Sequence, residues 1–160
     1  MQVSKKRSQN GIKIVARNRK AAHDYELLDR FEAGIVLTGT EIKSIREHKV
    51  NLQRGFVQGR GDELWLLDVH IAPYEYAGYS RHDPDRPRKL LLHRREINKI
   101  LDALTMKGLT MVPTKMYLKD GWAKVEVALA RGKQKYDKRS ELAKRDAKRQ
   151  VERALREKYR

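Results

Sequence analysis

The sequence predicts an α+β fold, mainly β: a small, closed or nearly closed antiparallel barrel with helices set into it. Three observations carry that prediction. Strand-like runs recur between residues 12 and 130, two pairs of them joined by two-residue turns. Asp120-Gly121 sits between two alternating runs, the pattern of a type I′ hairpin. Within that stretch only Arg94 to Lys107 has a sustained helical period.

The elements follow in order. Residues 1–11 are polar and basic and end at Gly11, which reads as a disordered arm. Ile12 to Val15 is a short strand, and Asn18 to Tyr25 a polar connection that tolerates helix. Tyr25 to Leu37 reads as a strand with a bulge or bend at Gly34. Thr40 is placed to cap a short helix over Glu41 to His48, with Ile42 and Ile45 on one face. Gly55 to Arg60 and Glu63 to His70 form a hairpin about Gly61-Asp62. Residues 71–88 form a loop with three prolines and three tyrosines, Tyr74, Tyr76 and Tyr79. Lys89 to Leu92 is a short strand. Ile97, Ile100, Leu101 and Leu104 give Arg94 to Lys107 an apolar stripe, and Gly108 ends that helix. Leu109 to Lys119 and Trp122 to Ala130 close the series, with Val125, Val127 and Leu129 alternating against Lys124, Glu126 and Ala128. The folded domain is thus expected over residues 12–132.

Residues 133–160 are a different object. They contain no Gly or Pro and repeat Leu142, Ala143, Ala147, Val151, Leu155 and Tyr159 at helical spacing. Glu141–Arg145 and Glu152–Arg156 are favourable pairs one turn apart. Four bulky apolar side chains cannot offset the conformational entropy of so long a segment. This tail is expected to be disordered alone and helical on a partner.

Charge points to that partner. The 160-residue chain carries +16. Residues 1–20 hold seven Lys/Arg and no acid; residues 131–160 hold thirteen against five acids. The middle is nearly neutral. A neutral body with two basic ends suits a polyanion gripped at more than one place, because clustered cations on phosphates release counterions. There are no cysteines, which removes disulfides, thiolate metal sites and cysteine nucleophiles and fits a reducing cytoplasm. Apolar runs such as Leu64–Leu67 are far too short to span a membrane.

No constellation of an enzyme is present. The five histidines lack ligand-type spacing, and no phosphate-cradling glycine loop or serine elbow occurs. His23-Asp24 could be an acid–base pair, but sequence neighbours rarely face one site. Asp83 and Asp85 could hold Mg²⁺; a turn with carboxylates in solvent or paired to Arg86 and Arg88 is the better reading. No cofactor or metal is expected. Three basic clusters point instead to RNA: Asn18-Arg19-Lys20; Lys43 and Arg46 with Glu41; and Arg86, Arg88 and Lys89. The loop tyrosines could stack on bases or be half-buried with their hydroxyls in water.

These residues resemble a known family. Asn18-Arg19-Lys20-Ala21, His23-Asp24-Tyr25, Phe31 through Arg46 (FEAGIVLTGTEIKSIR), Arg88 through His93 with Glu96-Ile97, and Gly132-Lys133 with Tyr136-Asp137-Lys138-Arg139 are similar to the SsrA-binding protein (SmpB) family. The match runs in order from about residue 10 to 140; beyond that only basic, helical character is shared. The resemblance implies an antiparallel barrel of OB-like character with two or three flanking helices. It implies a non-enzymatic bacterial adaptor that binds the tRNA-like domain of transfer-messenger RNA, acts with elongation factor Tu through the charged RNA, and rescues stalled ribosomes. The RNA-binding face it implies falls on Asn18, Arg19, Lys20, His23, Glu32, Gly34, Glu41, Lys43, Lys89 and Leu91, beside Arg46 and Arg88 from the clusters above. Glu32 could accept hydrogen bonds from base amino or imino groups, or brace a loop. The tail, through Lys133, Lys135, Tyr136, Asp137, Lys138, Arg139, Arg145, Arg149 and Arg153, would occupy the decoding centre and the empty mRNA channel. Tyr136 would stack there on a ribosomal base. A monomer without membrane attachment is expected, and a general ribosome-associated RNA chaperone with a barrel core is the alternative.

Overall fold

Antiparallel pairing dominates the computed structural model, which describes residues 11–78, 81–133 and 135–158, with side chains in the last segment from residue 142. The N-terminal arm before Gly11, Tyr79, and the side chains of Lys135, Tyr136, Asp137, Lys138 and Arg139 lie outside the described residues. The chain runs β1 (Ile12–Arg17), α1 (Arg19–Asp24), β2 (Tyr25–Ile35), α2 (Gly39–Arg46), β3 (Val50–Asn51), β4 (Phe56–Arg60), β5 (Glu63–Leu67), β6 (His70–Ile71), β7 (Arg88–Leu91), α3 (Arg94–Met106), β8 (Thr110–Lys119), β9 (Trp122–Gly132) and α4 (Lys135–Lys158). Seven strands form one sheet in the order β1-β8-β9-β2-β7-β5-β4, and β3 pairs with β6.

The two long strands β2 and β9 are the spine, registered from Tyr25↔Gly132 to Gly34↔Lys124. Where they pair at this end both alternate, with Ala33, Ile35, Val125 and Val127 buried while Glu32, Lys124 and Glu126 keep solvent; Ala128, expected on the phase of Lys124 and Glu126, is instead fully buried beside Leu129 and Ala130. The sheet curls around a core that includes Leu64, Leu66, Leu90, Met111, Met116 and Ile71, into which α3 sets Ile97, Ile100 and Ala103. Asp120 and Gly121 both take positive φ, at 50° and 83°, as the hairpin sequence requires.

The barrel closes without a ladder between its edge strands. Gly55, just ahead of β4, approaches β8 so closely that a Cβ there would stand 2.7 Å from Pro113 Cγ and 2.7 Å from Val69 Cγ2. Asn18, at the end of β1, spans the same seam: its Nδ2 donates to Leu52 O at 3.2 Å and to Pro113 O at 2.9 Å. The Asn18 oxygen accepts from Ala21 N, capping α1.

Several expectations are corrected. The cap of α2 is Thr38, not Thr40, and a full capping box forms with Glu41. Thr38-Gly39-Thr40-Glu41 contains that box at the correct spacing. The irregularity in β2 lies between Leu27 and Arg30, not at Gly34, which pairs regularly with both Lys124 and Leu91. Gly34 is small for another reason: a Cβ there would meet Leu91 Cβ at 3.2 Å. The strand expected over Glu63 to His70 breaks at Asp68, whose φ is 56°. Residues 135–158 form one helix, and every described side chain on it, from residue 142 to 158, is exposed.

Candidate nucleic-acid interface

Alternation along four neighbouring strands assembles one outward face. Moving across the sheet, Tyr117 (β8) lies beside Lys124 (β9), then Gly34 (β2), then Leu91 (β7). One row on, Lys119 faces Trp122, while Val36 N donates to Lys89 O at 3.0 Å. One row back, Lys115 faces Glu126, which faces Glu32. Val36, Leu91 and Trp122 are 44%, 52% and 75% exposed. Three large apolar groups in water on adjacent strands, ringed by lysines, mark a surface built for contact.

Glu32 is held in place on this face. Tyr117 Oη donates to its Oε2 at 2.5 Å, and Lys119 Nζ lies 3.4 Å from its Oε1. The tyrosine hydrogen bond, helped by Lys119 and Lys124 against the opposing effect of burial, holds the Glu32 carboxyl below the usual carboxylate range. Burial, and then Glu32 itself, push the Tyr117 phenol well above its ordinary value, so it remains a donor. Glu32 is therefore an ionised, oriented acceptor with part of its surface open. Both contacts come from strand β8 and not from a helix or loop, and the side chain keeps 40% of its surface in solvent. Lys89 Nζ contacts Glu63 Oε1 at 2.9 Å, and this hydrogen bond, with one from Trp65, lowers the Glu63 carboxyl.

Glu41 and Arg88 belong inside, which corrects their expected place on the face. Both side chains are fully shielded. Arg88 points inward from β7, donating from Nε to Glu41 Oε2, from Nη1 to Val69 O at 2.8 Å and from Nη2 to Pro84 O at 3.1 Å. Arg86 Nη2 donates to Glu41 Oε1 at 2.6 Å. Burial pushes the Glu41 carboxyl up, but the hydrogen bonds and charges of Arg88 and Arg86 outweigh it and hold the group below its ordinary value. These residues pin α2 to the barrel and so shape the face without touching its outer surface. Asn18 is likewise buried, its polar atoms used at the seam.

The remaining expected residues fall into separate groups. Arg19, Lys20 and His23 lie on α1, at the Tyr25 end of β2, while Glu32 and Gly34 lie toward its other end, about 23 Å and about 30 Å on along an extended strand. His23 Nδ1 faces Asp24 Oδ1 at 2.9 Å. The root of the tail joins the α1 group: Lys133 N donates to Asp24 O and Lys133 Nζ to Ala22 O, each at 3.1 Å. Lys43 and Arg46 project from α2, with Lys43 Nζ 5.3 Å from the centre of the Tyr74 ring. Tyr74 packs edge-on against Tyr76, which is 80% exposed. Asp83 and Asp85 form a turn, with Asp83 Oδ1 accepting from Asp85 N; Asp85 pairs with His70 rather than with the arginines, which turn to Glu41. Arg145, Arg149 and Arg153 are exposed on α4. Trp122 and Val36 were not anticipated. The signal for Trp122 was its place two residues before Lys124 and four before Glu126, on the polar phase of β9.

Comparisons with known proteins agree on one family. The family described as SmpB protein matches residues 15–157. A protein of Chloroflexus aggregans named SsrA-binding protein is 57% identical over 152 residues, covering 94% of this chain and 96% of its own length. The SsrA-binding protein of Carboxydothermus hydrogenoformans is 54% identical over 147 residues, covering 92% and 99%. A solved chain described as "tmRNA-SmpB: a journey to the center of the bacterial ribosome" overlays with a TM-score of 0.64 at 49% identity, over 75% of this chain and 85% of that one.

Proposed function

The chain belongs to the SsrA-binding protein family, and from that membership and the geometry of its sheet face we propose that it is the protein partner of transfer-messenger RNA in ribosome rescue. One observation supports this reading most directly: an ionised Glu32, oriented by Tyr117, stands among Lys89, Lys119, Lys124 and the exposed Leu91. Lysines favour any phosphate backbone, while a fixed carboxylate favours RNA only where a base edge offers an N–H. Such a face selects a particular RNA shape and does not coat RNA indiscriminately.

The adaptor performs no bond chemistry in this reading. It binds the tRNA-like domain as a monomer in the cytoplasm and helps deliver the charged RNA, with elongation factor Tu, to a ribosome whose decoding site is empty. The basic α4 follows the RNA into the ribosome. Tyr136, Asp137, Lys138 and Arg139 occupy the decoding centre, and Arg145, Arg149 and Arg153 line the vacant mRNA channel. An intact message excludes the tail sterically, which restricts the adaptor to stalled ribosomes.

The test is to recover and sequence the RNA that co-purifies with the protein, then measure affinity for the tRNA-like domain against a hairpin of equal length at one salt concentration. Strong preference for the tRNA-like domain is expected. Equal affinity for both would leave a general RNA chaperone as the reading.

A further inference from the structure

A groove of about 520 Å³ lies beside Trp122, between one face of α2 and the β8–β9 turn. Ile35, Leu37 and Ile42 give it an apolar lining, and Arg46 and Asp120 are the two charged residues that border it, one Asp120 carboxylate oxygen lying against Gly11. Trp122 is 75% exposed at its side. No described carboxylate makes an ion pair with Arg46, so its guanidinium is available to an anion from outside.

We propose that this groove receives one unpaired RNA base stacked on the Trp122 indole, its phosphate at Arg46 and a base N–H accepted by Asp120. The inference rests on the RNA-binding reading above and adds a specific subsite to it. Each part of the groove matches one part of a nucleotide: a flat aromatic for the base, a planar cation for the phosphate, and a carboxylate for an amino or imino group. The volume admits a nucleoside with room to spare. A base within a duplex is stacked on both sides and has no open face to offer, so the groove favours an unpaired one.

The chain has two tryptophans, Trp65 and Trp122, so Trp65→Phe leaves Trp122 as the sole indole. That variant is titrated with a transcript of the tRNA-like domain of transfer-messenger RNA, with affinity measured in parallel by filter binding. Quenching of Trp122 in step with binding is expected, and a blunt RNA duplex of equal length should leave its emission unchanged. Trp122→Ala should weaken transcript binding about tenfold, while Trp122→Phe retains most of it. If Trp65→Phe perturbs folding, 5-fluorotryptophan in the unaltered chain reports the same event through its ¹⁹F spectrum. Normal transcript binding with a silent Trp122, and a Trp122→Ala variant that binds as the parent does, would overturn the subsite and leave the RNA-binding reading intact. No transcript binding by the parent chain would overturn both.

Discussion

Arg88 donates to Glu41 where neither side chain reaches solvent, and this buried pair joins α2 to the inner side of β7. Arg86 completes the brace from the other carboxylate oxygen. Removing one member leaves a charge with no partner in a dry site, which costs far more than losing a surface pair. Glu41→Ala should lower unfolding free energy by about 3–5 kcal/mol, read from urea melts. A loss below about 1 kcal/mol would mean the pair contributes no more than an exposed one.

Acid should expose the same brace. Glu41 titrates below its ordinary value of 4.5 in the folded protein. A group depressed in this way contributes stability that is fully present above the unfolded value and is lost as pH falls through the folded one. The urea midpoint should therefore hold above about pH 5 and decline as pH drops below the carboxylate range. Glu41→Gln should start lower and decline less. An unchanged acid slope in that variant would assign the pH dependence to other carboxylates.

Asn18→Ala should act on stability before it acts on RNA. The substitution removes the α1 cap and both donations across the barrel seam. A loss of about 2–3 kcal/mol is expected, combining a cap with buried carbonyls left unpaired. Amide exchange should rise first around Leu52 and Pro113's neighbours. A stable variant with weakened RNA binding would return Asn18 to the interface.

Glu32 should show the opposite balance. It is partly open, and its contacts are a phenol and an exposed lysine. Glu32→Ala should weaken binding to the tRNA-like domain roughly tenfold while changing stability by about 1 kcal/mol or less. Tyr117→Phe keeps the ring but removes the donor that orients Glu32. It should weaken RNA binding by a smaller factor, and equal losses in the two variants would show that orientation is the whole contribution.

Truncation after Lys135 should separate the two ends of the molecule. Binding to the tRNA-like domain should change by less than about threefold, while peptide tagging of stalled ribosomes is abolished. Retained tagging would refute the channel role of the tail. A synthetic 133–160 peptide should show little helix by circular dichroism in plain buffer, since every described side chain of α4 is exposed.

Where local rules suffice, the fold was readable from sequence. The Asp120-Gly121 hairpin, the apolar phase of β9 and the stripe of α3 depend on neighbours in the chain, and each appears where the pattern put it. Thr38 was readable but displaced by Thr40, because both can cap and only Thr38 has Glu41 three residues on. Burial of charge was not readable. Arg88 and Lys89 look alike in sequence, yet strand phase sends one into the core and the other to solvent, and only the partner Glu41, 47 positions away, makes the first tolerable. Asn18 is similar: its two acceptors belong to segments that meet only when the barrel closes. Leu91 is legible only through the family resemblance, and Trp122 lies on the outward phase of β9, which the core alternation does not single out.

The sheet face draws Glu32, Lys89, Leu91, Trp122 and Lys124 from β2, β7 and β9, each fixed by the ladder on its own strand. Such a surface has no hinge of its own and already holds its geometry before any ligand arrives. The entropy lost on association then falls mainly on the RNA, whose loops must settle onto a preorganised template. Discrimination follows from this asymmetry. An RNA already folded to the complementary shape binds at little conformational cost, while one that must be reshaped binds weakly even when it carries the same charge.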